Sequence, residues 1–415
     1  MNNKLFIELD DYPIACDPQL CHDYNGLFVS QFLYSSLSDG NNCNIVSEDN
    51  MQFEIELYDS LLSRNIFSDS YIRAFLYYYN NSTQFSIFRP FIKTKEGIPE
   101  IIKINKRKFR INLRIQFPDF KALIQSRYII PLDEKFHSFF SGDYRLMVEN
   151  SQKRLSLGKI ASSALPFENI VFAVNSNPIK TIELLKKGEI NMTCHSNYSP
   201  LLNSVDGFKR KQQDGSLIYY LFVKNEAISK CLNENRSYIL NRISKILGLY
   251  VDPIDSFWIQ NYSPDKISGL MEKCLVKEEC TLIYADFFPN GVLANICADV
   301  LKMCGCSVKL KKEQSFCMYL KSRFQYDAYL GVRYPKYDSL TSYALSFATQ
   351  LRPSKKREFL NYFVNEEFMG MHRVLQDVPR FFPLAISKTI YLYDNHAENI
   401  EISRFGKVSF RAKKI

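Results

Sequence analysis

The chain has 415 residues, 46% of them hydrophobic and 14% aromatic, with 32 Phe, 26 Tyr and a single Trp. That apolar content excludes a disordered chain, because its burial can offset the entropy of ordering, and the length suits two or three structural units. Fifteen Gly and 16 Pro exclude collagen-like and low-complexity chains, and a formal charge of +9, from 53 basic and 44 acidic residues, is too mild to single out a nucleic-acid partner.

The elements run as follows. Residues 4–9 alternate as a short strand and end in the turn Asp10-Asp11-Tyr12-Pro13. A helix is expected from about Gly26 to Leu37, with Phe28, Phe32 and Leu33 on one face, then a loop at Asp39–Asn42. Phe53, Ile55 and Leu57 alternate with polar residues as a half-buried strand, and Ser68 opens a helix over Asp69 to Tyr79. A strand over Lys108 to Phe117 sets Lys108, Arg110 and Arg114 on one face and Phe109, Ile111, Leu113 and Phe117 on the other. With Lys103, Lys106 and Arg107 this is the densest basic stretch. A nucleic-acid surface would interleave aromatics with the cations, and here they face opposite ways, so the stretch reads as a solvated sheet face.

Strands are expected near Tyr144–Val148 and Ile170–Val174, and a helix from Pro178 to Lys187 stopped by Gly188. A strand at Leu217–Val223 and a helix from Ser237 to Leu247 follow. Then Thr281–Asp286, a helix from Gly291 to Met303, Val308–Leu310, a helix near Phe316–Arg323 and Tyr326–Val332 form a βαβαβ run, which signals a parallel sheet. The loop Arg333-Tyr334-Pro335-Lys336-Tyr337-Asp338-Ser339 leaves the carboxyl end of a strand, where ligands bind in open α/β sheets. Helices over 339–350 and 355–375, a strand at Thr389–Tyr393 and a hairpin about Gly406 close the chain.

Eleven cysteines scatter from Cys16 to Cys317 without a CxxC element, and Cys304-Gly305-Cys306 lacks a second half for a metal. They read as small buried hydrophobes of a chain in a reducing compartment. The first eleven residues hold acids and no apolar h-region, and no run of about 18 apolar residues occurs, so neither a signal peptide nor a membrane span is expected. The expected location is cytoplasmic as the sequence stands, and periplasmic or at the cell surface if a signal is removed upstream.

No P-loop, Rossmann glycine fingerprint or metal motif appears, so no cofactor or metal is expected. Cys21-His22-Asp23 and Cys194-His195 are the only Cys/His adjacencies, and neighbours in sequence rarely orient a nucleophile and base together. Trp258 reads as a packing residue.

Several local patterns resemble one family in order and spacing. Leu33-Tyr34-Ser35-Ser36-Leu37 closes the first helix. Gly142-Asp143-Tyr144-Arg145-Leu146 is similar to a Gly-Pro-Tyr turn. Leu184-Leu185-Lys186-Lys187-Gly188-Glu189-Ile190-Asn191 resembles a helix end of the type Leu-x-x-Gly-Glu-Ile-Asp. Gly305-Cys306-Ser307-Val308 and Tyr326-Asp327 resemble the units that precede a ligand loop. By these the chain resembles the family-5 extracytoplasmic solute-binding proteins of ABC importers. The resemblance implies an α/β, bilobal, type II periplasmic-binding-protein-like fold. Residues 1–225 with 383–415 would form a first lobe carrying an inserted α+β unit at about 38–135, and 226–382 a second lobe. It implies a non-enzyme that closes on a small-molecule or peptide ligand and delivers it to an ABC permease, with no nucleic-acid partner. Tyr12, Arg333, Tyr334, Tyr337 and Asp338 are the implied ligand residues. Where the family commonly carries an acidic pair, Pro335 takes the first position and Asp338 the second. The implied ligand is therefore no simple free-amine peptide. It carries an anionic group for Arg333 and stacks on Tyr334 or Tyr337. The alternative is a cytoplasmic ligand-sensing module on the same fold, without its own DNA-binding domain.

Overall fold

A computed structural model describes residues 4–21, 23–38, 40–81, 88–147, 154–160, 165–194, 198–255, 278–335, 337–339, 341–348, 350–375 and 380–410. Trp258, His22, His195 and Lys336 lie outside the described residues.

Three sheets organise the chain. In the first, Lys4–Leu9 pairs in parallel with Asn169–Val174, which continues antiparallel to Arg154–Lys159 and Tyr144–Met147. Leu5, Ile7 and Leu9 are buried, as the alternation requires, and so against the pattern is Glu8. The helix Tyr24–Leu33 packs Phe28 and Phe32 against Phe172 of this sheet. It starts two residues before the expected Gly26, because Asp23 caps it by accepting from the Gly26 amide. Gly26 itself is obligatory: a Cβ there would stand 2.1 Å from the Ala15 carbonyl oxygen.

The second sheet lies within residues 43–112. Cys43–Val46, Gln52–Leu57, Lys108–Asn112 and Ile101–Lys103 pair antiparallel in that order, with Phe53, Ile55, Phe109 and Ile111 on the buried face. The basic stretch lies on the outer face and is ion-paired. Lys108 and Arg110 both meet Glu54, at 2.6 and 3.0 Å, Lys103 meets Asp69, and Arg107 meets Asp59. The strand ends at Asn112 rather than Phe117, since Phe117 turns inward to stack on Phe91 and Phe363.

The third sheet has six strands, ordered Val251–Pro253, Phe381–Tyr393, Lys209–Val223, Ala328–Arg333, Glu279–Ala285, Ser307–Glu313. Glu279–Ala285 pairs in parallel with both of its neighbours, as the βαβαβ run predicts. Helices Glu226–Glu234, Arg236–Leu247 and Asn290–Met303 cover one face with a core built on Ile228, Ile239, Ile243, Leu293 and Leu301. Two strands of this sheet are far longer than their apolar stretches predict. Lys209–Val223 and Phe381–Tyr393 pair with each other along nearly their whole length. One end lies in the six-stranded sheet, and the other joins the first sheet through Met192, which bridges to both Ile7 and Tyr393. Midway the register slips, leaving Gly215, Ser216 and Leu217 opposite Ser387. A Cβ on Gly215 would stand 2.4 Å from the Ser387 carbonyl oxygen, so only glycine fits there. The polar run Lys209–Asp214 conceals half of one strand from the alternation rule.

The expected helix over 355–375 is two, Pro353–Val364 and Phe368–Leu375, separated at Glu366, whose φ is 55°. The helices of residues 341–375 share a core with the second sheet and the segment after it, because Phe363 packs on Phe91 and Phe117. Among the described residues no helix is long and apolar enough to cross a membrane.

Candidate functional site

A cavity of about 500 Å³ opens between the first sheet and the edge of the third. Its first wall comes from the end of the opening strand and the start of the helix it leads to: Glu8, Asp10, Asp11, Tyr12, Asp23 and Asn25. Its second wall comes from the carboxyl ends of the parallel strands and the segments they feed: Phe287, Phe316, Arg323, Val332, Arg333 and Tyr334. Burying polar groups on both walls of an otherwise packed interface is costly unless they are used.

The first wall is acidic. Glu8 is held in place: Oε1 accepts from Asn175 Nδ2 at 2.8 Å and from the Thr181 hydroxyl, and Oε2 from the Cys194 amide at 3.1 Å. Asp10 Oδ1 accepts from Asn25 Nδ2 at 2.7 Å. Asp23 Oδ2 accepts from the Gly26 amide at 2.9 Å, and the Ile14 amide is a further donor to this carboxyl. Desolvation pushes all three carboxyls above their ordinary range, Asp23 to about 6, and the Asp10 charge adds to the rise at Glu8 and Asp23.

The second wall is cationic. Arg323 sits at the end of the Phe316–Ser322 helix, its guanidinium 4.8 Å from the Phe324 ring centroid and 5.2 Å from that of Tyr329. Its Nε is buried and unpaired among the described residues. Arg333 closes its strand, lies 4.6 Å over the Phe347 ring and donates to Ser346 Oγ at 2.9 Å. Among the described residues neither guanidinium has a carboxylate within ion-pair distance. Their aromatic seats hold the planar cations by π contact and leave their edges for an anion.

Of the residues expected from sequence, Tyr12, Arg333 and Tyr334 line this cavity. Tyr12 is exposed at its rim, and Tyr334 is set edge-on to Tyr24 at 6.0 Å. Tyr337 and Asp338 do not line it. The Tyr337 ring is buried edge-on to Phe88 and Phe117, and its hydroxyl faces Thr341 and the Asp119 carboxylate. Asp338 is exposed outside the cavity. The aromatic cluster of Phe88 and Phe117 captures Tyr337, and the residue after it faces solvent. Sequence reasoning missed Glu8, Asp10, Asp23 and Arg323. A charged residue inside the apolar run Leu5-Phe6-Ile7-Glu8-Leu9 was the one available signal, because an acid is rarely buried without a use.

No protein-family profile and no curated protein matches the chain. Solved structures do. The murein tripeptide binding protein MppA of Escherichia coli aligns over 97% of this chain and 96% of its own, at 14% identity and a TM-score of 0.79. Its unliganded open form, also at 14% identity and over 98% and 95% of the two chains, aligns at 0.61. A dipeptide binding protein from Pseudoalteromonas sp. SM9913 in complex with Met-Leu gives 0.77, at 13% identity over 98% of both chains. The ABC transporter-associated periplasmic binding protein DppA from Helicobacter pylori, in complex with the peptide STSA, gives 0.73, at 12% identity over 99% and 98%. The chain shares their bilobal α/β fold from end to end.

Proposed function

We propose that this chain, which has the fold of the family-5 solute-binding proteins, is a solute-binding protein that closes its two walls around a small ligand for ABC-type import. One observation carries the reading. The cavity brings carboxylates from the first sheet and two arginines, without carboxylate partners among the described residues, from the third to one space, and a concave site with convergent polar groups of both signs is suited to holding a small ligand. The higher TM-score with peptide-bound relatives than with the open form supports a closed arrangement. The crossing of the two long strands, with its bulge at Gly215, supplies the place where the walls can hinge.

Small-angle scattering with and without a panel of peptides and small anions tests this. A bound ligand makes the profile more compact and raises the melting temperature. If no compound does either, and native mass spectrometry finds no small molecule carried through purification, the reading fails.

A second reading places the same closure inside the cell, as a ligand-sensing module. The ten described cysteines are all free thiols, eight of them buried, which favours a reducing compartment. Fractionation of native cells decides, since recovery outside the membrane removes it.

A further inference from the structure

Outside the cavity, one set of side chains ties its two walls together without lining it. We infer that Asn203 and Tyr250 form a clasp that holds the walls together even in the empty chain, and that both are positioning residues which set affinity without touching the ligand. The clasp itself needs no ligand, and its effect on affinity rests on the solute-binding reading.

One half of the clasp belongs to the 3-10 turn Pro200–Ser204, which Ser199 caps by accepting from the Leu201 amide. Leu202 anchors this turn in a core with Leu185 of the helix Pro178–Lys186, and Tyr198, 5% exposed, lies in the same core. The Arg210 guanidinium is 5.5 Å from the Tyr198 ring centroid. Asn203 is held from its oxygen side: Oδ1 accepts from Arg210 Nη1 at 3.0 Å and from the Tyr198 hydroxyl at 3.3 Å. Two donors use both lone pairs of that oxygen, which fixes the amide plane and aims Nδ2 outward.

The other half is Tyr250, directly before Val251–Pro253, the outer strand of the third sheet. Its carbonyl accepts from the Lys388 amide at 2.8 Å, one residue past the register slip at Ser387. Asn203 Nδ2 donates to the Tyr250 hydroxyl at 2.7 Å. The Tyr250 ring stacks on Tyr198, with centroids 6.4 Å apart and planes at 26°, and meets Phe288 edge-on at 5.1 Å. Tyr250 thus packs against two cores at once, the one beneath the helices of the third sheet and the one holding Leu185 and Leu202. Leu202 and Phe288 line the cavity, whereas Tyr198, Asn203, Arg210 and Tyr250 do not, so the clasp sits behind the lining on both sides.

A rotation at the register slip that parts the walls moves Asn203 against Tyr250. A displacement of about 1 Å carries their bond beyond ordinary hydrogen-bond length. The arrangement that keeps the bond and the stack is favoured by their free energy over any that loses them, and this bias acts before a ligand arrives. Every ligand inherits it alike, because apparent affinity scales with the population of the competent arrangement.

The test uses the full chain and the variants Tyr250→Phe, Asn203→Leu, the two together, and Tyr250→Leu, each checked by circular dichroism for wild-type secondary structure. Small-angle scattering of the ligand-free proteins is read first. Every variant should be less compact than the wild type, Tyr250→Leu most because it loses the stack as well as the bond. The double variant should be no more open than Asn203→Leu alone, since the two substitutions remove one shared bond. Tyr250→Phe keeps the ring and decides the matter if Tyr250→Leu misfolds. Tri-alanine and inorganic phosphate then serve as probes in calorimetry. A probe that binds the wild type should bind Tyr250→Phe about threefold and Tyr250→Leu about tenfold more weakly, by the same factor for both probes. Identical ligand-free profiles in all the proteins overturn the clasp and leave solute binding intact. A loss confined to one probe puts Tyr250 in contact with that ligand and overturns its positioning role. If no compound of the wider panel changes any profile, solute binding fails, and the ligand-free profiles alone decide the clasp.

Discussion

Asp23 caps a helix while facing the cavity, and Asp23→Asn separates the two roles. Burial holds its carboxyl at about 6 instead of 3.8, against the partial relief of the Gly26 amide and with the Asp10 charge adding to the rise. A folded-state value above the unfolded one means that the protonated carboxyl stabilises the fold. That contribution is fully present below the unfolded value of 3.8 and is lost as pH rises through about 6. A rise of about two units corresponds to about 3 kcal/mol, an upper figure because the group retains slight exposure. Asn caps helices as well as Asp does, so D23N keeps the hydrogen bond to Gly26 and removes only the charge. Urea unfolding of both ligand-free proteins at pH 4, 5, 6 and 7.5 reads the difference, in which other titrating groups cancel. D23N should match the wild type near pH 4 and exceed it by about 2–3 kcal/mol at pH 7.5. A difference that stays flat across this range, or a variant less stable at pH 7.5, would refute the placement of a desolvated carboxylate on this wall.

Other substitutions probe the scaffold. Gly215→Ala drives a Cβ to 2.4 Å from a backbone oxygen at the crossing of the long strands, and should lower unfolding free energy by about 1–3 kcal/mol; an unchanged urea midpoint would argue against the bulge. Gly331→Ala places its Cβ 2.2 Å from the Tyr220 ring, so Tyr220→Leu in the same chain should recover part of the loss, seen as a favourable coupling energy in a double-mutant cycle. Asp119 accepts from the hydroxyls of Tyr337, Ser339 and Thr341, and Asp119→Ala should cost about 2 kcal/mol in urea unfolding, with Asp119→Asn costing less because its amide oxygen still accepts. Because the ten described cysteines carry no disulfide, dithiothreitol should move the melting temperature by no more than about 1 °C, and a larger fall would contradict the free thiols.

Local patterns were legible wherever one residue's neighbours decide its state. Phe53, Ile55 and Leu57 alternate because one face of an antiparallel strand is buried, and they are buried. Gly188 stops the helix Pro178–Lys186 at a φ of +66°, a short-range effect. The parallel order of Glu279–Ala285, Ser307–Glu313 and Ala328–Arg333 follows from the alternation of elements alone. Illegible were the polar half of Lys209–Val223 and the helix Glu226–Glu234, whose character comes from what they pair with or pack on.

The sequence by itself determined many of the elements, the parallel βαβαβ run and the arrival of Arg333 and Tyr334 at the end of a strand, and its family resemblance implied the bilobal α/β class. Only the tertiary structure decided the sign of each cavity wall and the loss of Tyr337 and Asp338 from it. Secondary structure answers to contacts three or four residues apart, which a periodicity records. The charge of a cavity is set by groups brought together across the chain: Glu8 is held by Asn175, Thr181 and Cys194, and Tyr337 is drawn away by Phe88, Phe117 and Asp119. No periodicity spans such distances, because burial there is a property of the assembled surfaces rather than of either segment.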